Sequence, residues 1–334
     1  MMYLTRQLLP RSTVCARPGI AVFKSEWTML PTRRLPHASR SLQDTGATAK
    51  SPSVPGLVNS NLMFYSPPPD GSAPYTLVNM DEAGRMGNWV PEEREVEIQD
   101  IRGRENSVKL DTAGFQFYTG APDHTSFTDE REIREKYYTE SVALIKLLTG
   151  ASRVVPFDHT IRRRRPGERD DAPTKRQPVP QVHVDQTPQS AVERVHRHLP
   201  STDVPALLQK RFQILNLWRP LDHPALDWPL ALCDFRSIDR AKDIVPVALR
   251  YPDREGQTYG VRYSPQQKWS YLRKMRPDEF VLIKCFDSED DGNTALFTPH
   301  TAFNDPSTPK DAPFRESIEL RMLVFYEAGH TPSV

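Results

Sequence analysis

The chain has 334 residues, 37% of them hydrophobic, which suffices for one sizeable enzyme body or two small ones. Its 44 basic and 43 acidic side chains leave a formal charge of +1, so no global field draws it toward nucleic acid or anionic lipid. Three widely spaced cysteines, Cys15, Cys233 and Cys285, argue against a disulfide framework and for a reducing compartment, and no run approaches the roughly 18 apolar residues of a membrane span.

Residues 1–40 carry Arg6, Arg11, Arg17, Lys24, Arg33, Arg34 and Arg40 against one acid, Glu26. That is transit-peptide composition; the plain alternative is a disordered leader, because Pro10, Pro18, Pro31 and Pro36 interrupt any amphipathic helix. The expected location is cytoplasmic, with mitochondrial import through residues 1–40 as the alternative. Residues 41–60 read as a linker, which makes 1–60 leader and linker and puts a single domain over 61–330, its folded part starting near Leu62.

Inside that body a β-like run over 95–101 comes first. Thr128-Asp129-Glu130 then has the chemistry of a helix start, a hydroxyl cap followed by acids. Ile133, Tyr137, Leu144, Leu147 and Leu148 supply an apolar face, and Gly150 closes the helix. Short β-type runs follow over 154–157, 181–185, 212–218, 230–235, 243–250, 280–286 and 317–326, with one helix after Thr187-Pro188. Arg162 to Arg165, followed by Pro166-Gly167, read as a solvated loop or a mobile lid. Many short strands with few helices predict a mainly β fold with flanking helices, an antiparallel sandwich or barrel.

In Gln181-Val182-His183-Val184-Asp185, strand geometry would place the His183 imidazole and the Asp185 carboxylate on one face. His-x-Asp is weak evidence alone, and a hydrogen-bonded pair is its plain reading. A second histidine, His300 in Pro299-His300-Thr301, lies 300 − 183 = 117 positions downstream. Two histidines and a carboxylate make a facial triad with open coordination positions, unlike the four-ligand structural zinc site. Fifteen positions beyond His300 (315 − 300) comes Arg315-Glu316-Ser317, at the start of the last β-like run. On a strand Arg315 and Ser317 share a face and offer a guanidinium and a hydroxyl to one carboxylate; Arg321, of the same parity, is the fallback. Tyr263 and Trp269 fit either a substrate pocket or aromatic core packing, and Lys284 with Asp287 fits a charged pair on an outer face. His159, His196, His198, His223 and His330 lack partners at ligand spacing or sit on polar stretches.

These phrases together resemble the CmcJ-like, gibberellin-desaturase-like family of fungal and bacterial oxygenases over about residues 61–328. The resemblance is carried by Asp100-Ile101-Arg102-Gly103, Gly114-Phe115-Gln116-Phe117, His183-Val184-Asp185, Asn216-Leu217-Trp218-Arg219-Pro220, Asp227-Trp228-Pro229-Leu230, Pro299-His300-Thr301-Ala302-Phe303 and Arg315-Glu316-Ser317. It implies a double-stranded β-helix (jelly-roll, cupin-like) core over 61–330. It also implies Fe(II), 2-oxoglutarate and O2 as cofactors, iron ligands at His183, Asp185 and His300, and a 2-oxoglutarate clamp at Arg315 and Ser317. Asn216 and Trp218 occupy the place of an Asn-Tyr-Tyr-Pro strand whose aromatic hydroxyl touches 2-oxoglutarate in related oxygenases; Trp218 lacks that hydroxyl, and Arg219 either compensates or forms a salt bridge on the barrel wall. The activity implied is hydroxylation or desaturation of an unactivated C–H bond in a small secondary metabolite. No nucleic acid and no membrane partner is expected, and the alternative function is a catalytically inactive accessory protein that binds a partner biosynthetic enzyme.

Overall fold

The computed structural model describes residues 56–78, 87–170 and 172–326. The leader expected over 1–60 lies outside them up to residue 55, as do Cys15 and His330. The strands, in chain order, are β1 (Leu57–Ser66), β2 (Tyr75–Leu77), β3 (Val90–Asp100), β4 (Phe115–Thr119), β5 (Arg153–Arg163), β6 (His183–Val184) and β7 (Phe212–Pro220). They continue with β8 (Leu230–Cys233), β9 (Ile244–Arg250), β10 (Glu255–Val261), β11 (Trp269–Tyr271), β12 (Glu279–Asp287), β13 (His300–Ala302) and β14 (Glu316–Phe325).

Two sheets hold them, in the orders β4-β12-β7-β14-β5 and β1-β3-β11-β8-β13-β6-β10-β9-β2. After β5 the chain alternates between sheets through β6, β7 and β8. It then makes a β9–β10 hairpin, returns to β11 beside β8, and alternates again through β12, β13 and β14. The set β12-β7-β14-β5 facing β11-β8-β13-β6 is an eight-stranded jelly roll, as expected. The remaining strands extend its edges, which reduces unpaired backbone.

The polarity of β14 explains how the layers stack. Ile318, Leu320, Met322 and Val324 alternate with Ser317, Glu319 and Arg321. The apolar set packs with Leu215, Leu217, Phe280 and Leu282 against Ile133, Tyr137 and Ile145 of the helical layer. The polar set is left to face the barrel interior. That helical layer is one rod in three pieces: Glu130–Glu132, a π-helical turn Ile133–Tyr137, and α1 (Tyr138–Thr149). Its cap is Asp129 rather than Thr128, because the Asp129 carboxylate accepts from the Arg131 and Glu132 amides. Gly150 ends it at φ +69°, as the sequence suggests. Leu147 departs from the expected apolar face and is 76% exposed, since Ile145 and Val142 take the contact. The helix after Thr187 is α2 (Pro188–His198), closed by a reciprocal Thr187–Ser190 capping box.

Two sequence expectations change here. The four arginines do not form a solvated loop or lid: Arg162 and Arg163 end β5 and pair with Glu319 and Glu316 of β14, and Arg164 pairs with Asp227. Lys284 and Asp287 are no outer-face pair either. Both side chains are fully buried, with Lys284 Nζ 2.7 Å from Asp111 and 2.8 Å from Asp287, and Arg211 shares both carboxylates. Trp269 and Tyr263 belong to aromatic packing around Phe64.

Candidate metal centre and its surroundings

His183 on β6 and His300 on β13 are direct cross-strand partners, so the antiparallel register alone sets their rings side by side, 4.5 Å between centroids. Each Nδ1 meets a backbone carbonyl, Gln181 at 2.8 Å for His183 and Thr298 at 2.9 Å for His300. A carbonyl only accepts, so both Nδ1 atoms carry hydrogen, and Nε2 is the nitrogen that each ring can offer to a metal. Asp185 follows the end of β6 with Oδ1 3.4 Å from His183 Nε2, and one ligand atom from each of the three residues lies within 4.8 Å of the others.

The opposite sheet fixes the carboxylate. Asp185 Oδ2 accepts from Asn216 Nδ2 at 2.8 Å, lies 3.5 Å from Cys285 Sγ, and 3.5 Å from Arg321 Nε. Arg321 is bound in turn by Asp158 and Thr160 at 3.1 Å each and by Glu319, whose carboxylate also accepts from Arg162 at 3.0 Å. Burial alone would raise the Asp185 carboxyl, but Arg321, then His183 and His300, hold it well below the usual carboxylate range. Burial, then the neighbouring His183, pushes His300 down to about 4. The site therefore presents two imidazoles and one ionised carboxylate, the donor set of a facial triad for a divalent metal.

Arg315, Ser317 and Trp218 line the same interior. Arg315 is 2% exposed, yet among the described residues its guanidinium donates only to the Trp228 carbonyl and meets no carboxylate. Burial, then the nearby Arg162, pushes it down to about 9, the mark of a desolvated cation short of an anion. Its plane lies over the Trp218 ring at 5.6 Å. Three buried polar atoms here lack partners: Arg315 Nε, Ser317 Oγ and Asn216 Oδ1. Such orphans are rare in folded proteins, and the cation edge and the hydroxyl, both donors, fit a dicarboxylic co-substrate beside an open triad, whereas the Asn216 oxygen, an acceptor, does not. Arg321, the fallback, is already committed to Asp158, Glu319 and Asp185.

Arg219 neither compensates for Trp218 nor forms the expected salt bridge: it points to the opposite face, over the rings of Tyr137 and Phe280, and donates to the Gly120 carbonyl. Nor do the other histidines join the triad. His159 bonds the Tyr138 hydroxyl at 2.9 Å, and His198 stacks on Phe157. Glu319, Cys285, Asp227 and Trp228 went unassigned in the sequence reading; strand parity with Ser317 could have found Glu319, whereas the others have no local signal. Gln186, next after Asp185, and Phe297, three residues before His300, also wall a cleft of about 780 Å³ with Phe212, Tyr259 and Phe286.

Comparison with known proteins adds to this geometry. Residues 62–325 match the model of an oxidoreductase/YMDC permease-like domain family. The hydroxylase/desaturase efuI of Hormonema carpetanum is 36% identical over 303 residues, which cover 84% of this chain and 98% of that protein. The Fe(II)/2-oxoglutarate-dependent dioxygenase nvfI of Aspergillus novofumigatus is 38% identical over 248 residues, 71% of this chain and 84% of that one. The solved structure of the iron and alpha-ketoglutarate-dependent endoperoxidase NvfI superposes with a TM-score of 0.73 at 33% identity, over 82% of this chain and 99% of that one.

Proposed function

Because the chain belongs to the CmcJ-like, gibberellin-desaturase-like family of iron(II)- and 2-oxoglutarate-dependent oxygenases, we propose that His183, Asp185 and His300 carry its iron and that Arg315, with Ser317, receives the distal carboxylate of 2-oxoglutarate. The reaction is hydroxylation or desaturation of an unactivated C–H bond in a small secondary metabolite. When bound, iron(II) with 2-oxoglutarate and O2 supplies the oxidising power that breaks this bond.

The chain's own groups do the rest. The Gln181 and Thr298 carbonyls lock both imidazoles in the metal-binding tautomer. Asn216 and Arg321 keep the Asp185 carboxylate oriented and ionised. Trp218 covers the guanidinium of Arg315, so this cation meets its anion away from water, where the pairing is strongest. We read the expected domain over 61–330, extended by residues 57–60 that begin β1, as one jelly-roll oxygenase domain working in the cytoplasm, with the residues before it as leader and linker.

The observation that carries the proposal is the buried Arg315 with its orphaned Nε beside a complete His-Asp-His set. Anaerobic reconstitution with iron(II) and 2-oxoglutarate should give the weak visible charge-transfer band of the chelate. His183→Ala should abolish it, and Arg315→Ala should require about a hundredfold more 2-oxoglutarate, the loss of a charge-assisted contact of roughly 3 kcal/mol. A folded wild type that binds neither would sink the reading and turn attention to an accessory role with a partner enzyme.

A further inference from the structure

We propose that Asp227 and Trp228, braced by Arg164, are positioning residues that hold the Arg315 guanidinium at a fixed distance from the metal, and so set which length of 2-oxo diacid the site accepts. This rests on the reading of Arg315 as the clamp.

Trp228 has φ +45°, a left-handed conformation that a bulky aromatic residue rarely adopts, and Pro229 follows it directly. Strain of this kind persists only where surrounding contacts impose it. Here the conformation turns the Trp228 carbonyl onto Arg315 Nη1. Asp227, 6% exposed, accepts the Arg315 backbone N–H on Oδ2 at 3.1 Å and the Arg164 Nη1 on Oδ1 at 2.7 Å. The Arg164 amide donates to the Arg315 carbonyl at 2.9 Å, and its guanidinium lies over the Trp228 ring at 5.3 Å and the Phe314 ring at 5.2 Å.

Arg315 is therefore held at its backbone N–H, its backbone carbonyl, one terminal nitrogen and one face, while Nε has no partner. An arginine side chain loses much rotamer freedom when fixed; these contacts remove that freedom before any ligand arrives. The Trp228 carbonyl also occupies one end of the fork, so an incoming carboxylate is directed to the Nε edge. A cation that cannot retreat discriminates against a longer diacid, whose distal carboxylate would arrive too deep.

The test measures affinities of the iron-loaded protein, without oxygen, for five-carbon 2-oxoglutarate and six-carbon 2-oxoadipate, with iron affinity followed separately by chelator competition. In Asp227→Ala, 2-oxoglutarate should bind about tenfold more weakly. The six-carbon acid should lose less, so the preference narrows while iron affinity stays at the wild-type value. Arg164→Met, at a partly exposed position just past the end of β5, should act in the same direction and serves if Asp227→Ala does not fold. Unchanged preference in both variants, beside a large loss in Arg315→Ala, overturns the positioning role and leaves the clamp standing. Parallel loss of iron and both acids would mean ordinary structural support and also overturns it. Wild-type 2-oxoglutarate affinity in Arg315→Ala overturns the clamp itself, and the positioning role with it.

Discussion

Glu319 is the anion on which the barrel interior turns, and Glu319→Gln removes its charge while keeping its shape. Its carboxylate accepts from Arg162 at 3.0 Å and from Arg321, and Arg321 lies 3.5 Å from the carboxylate of Asp185. The side chains of Glu319, Arg162 and Arg321 are 8%, 16% and 13% exposed, so water cannot take over from the lost charge. Removing one member of a buried ion pair costs about 3–5 kcal/mol. Asp158 still meets Arg321 at 3.1 Å, which places the expected cost at the lower end, about 3 kcal/mol. For a body of this size that is about 6–9 °C in Tm. Burial alone would raise the Glu319 carboxyl, but Arg321 and Arg162 outweigh it and hold it below the ordinary range. A carboxyl whose folded pKa is depressed contributes stability that is full above its unfolded value, about 4.3, and is lost as pH falls through the folded one. Urea and thermal unfolding of the metal-free protein should thus show a gap between wild type and variant at neutral pH that closes under acid. A cost under about 1 kcal/mol at neutral pH, or a gap that persists unchanged at about pH 3, would refute the reasoning.

Three further substitutions probe the frame around the site. Gly114 has φ +90°, and a Cβ there would come 2.5 Å from Thr298 Oγ1 and 2.8 Å from the Phe297 carbonyl; Gly114→Ala should cost at least about 2 kcal/mol and lower iron affinity through the Thr298–His300 contact, read by unfolding and chelator competition. Lys284→Met strands the Asp111 and Asp287 carboxylates with only Arg211 between them, and should destabilise by about 3 kcal/mol in urea; a loss below about 1 would mean that the network is dispensable. Asn216→Ala removes the 2.8 Å hydrogen bond to Asp185 and should weaken iron binding about 10–100-fold with little change in folding stability.

The reach of the sequence reading follows from what each residue's neighbours are. That His183, Asp185 and His300 would come together was legible because strand parity and spacing carry them, as they carry the pairing of Arg315 with Ser317, and long strands such as β7, β12 and β14 announce themselves as apolar or alternating runs. The short strands β11 and β13 were not, because three residues each are too few for any period to register, whereas the two-residue β6 falls inside the expected run over 181–185. Arg162 and Lys284 were misjudged for a different reason. Charged residues usually face water, and only tertiary pairing with Glu319, or with Asp111 and Asp287, makes their burial tolerable. The Asp227–Trp228 arrangement depends on a backbone angle that no residue type in the stretch calls for.

The cross-strand pairing of His183 with His300 has a kinetic corollary. These residues are 117 positions apart in the chain, and the strands that carry them close only after the intervening elements have been threaded between the two sheets. Contacts of such long sequence separation form late and make folding slow. The complete ligand set therefore does not exist in the unfolded chain or in early collapsed states, and iron has little to grip until the jelly roll has shut. Added iron should leave the refolding rate nearly unchanged and slow unfolding instead, so the metal acts as a latch on a finished structure and not as a nucleus for its assembly.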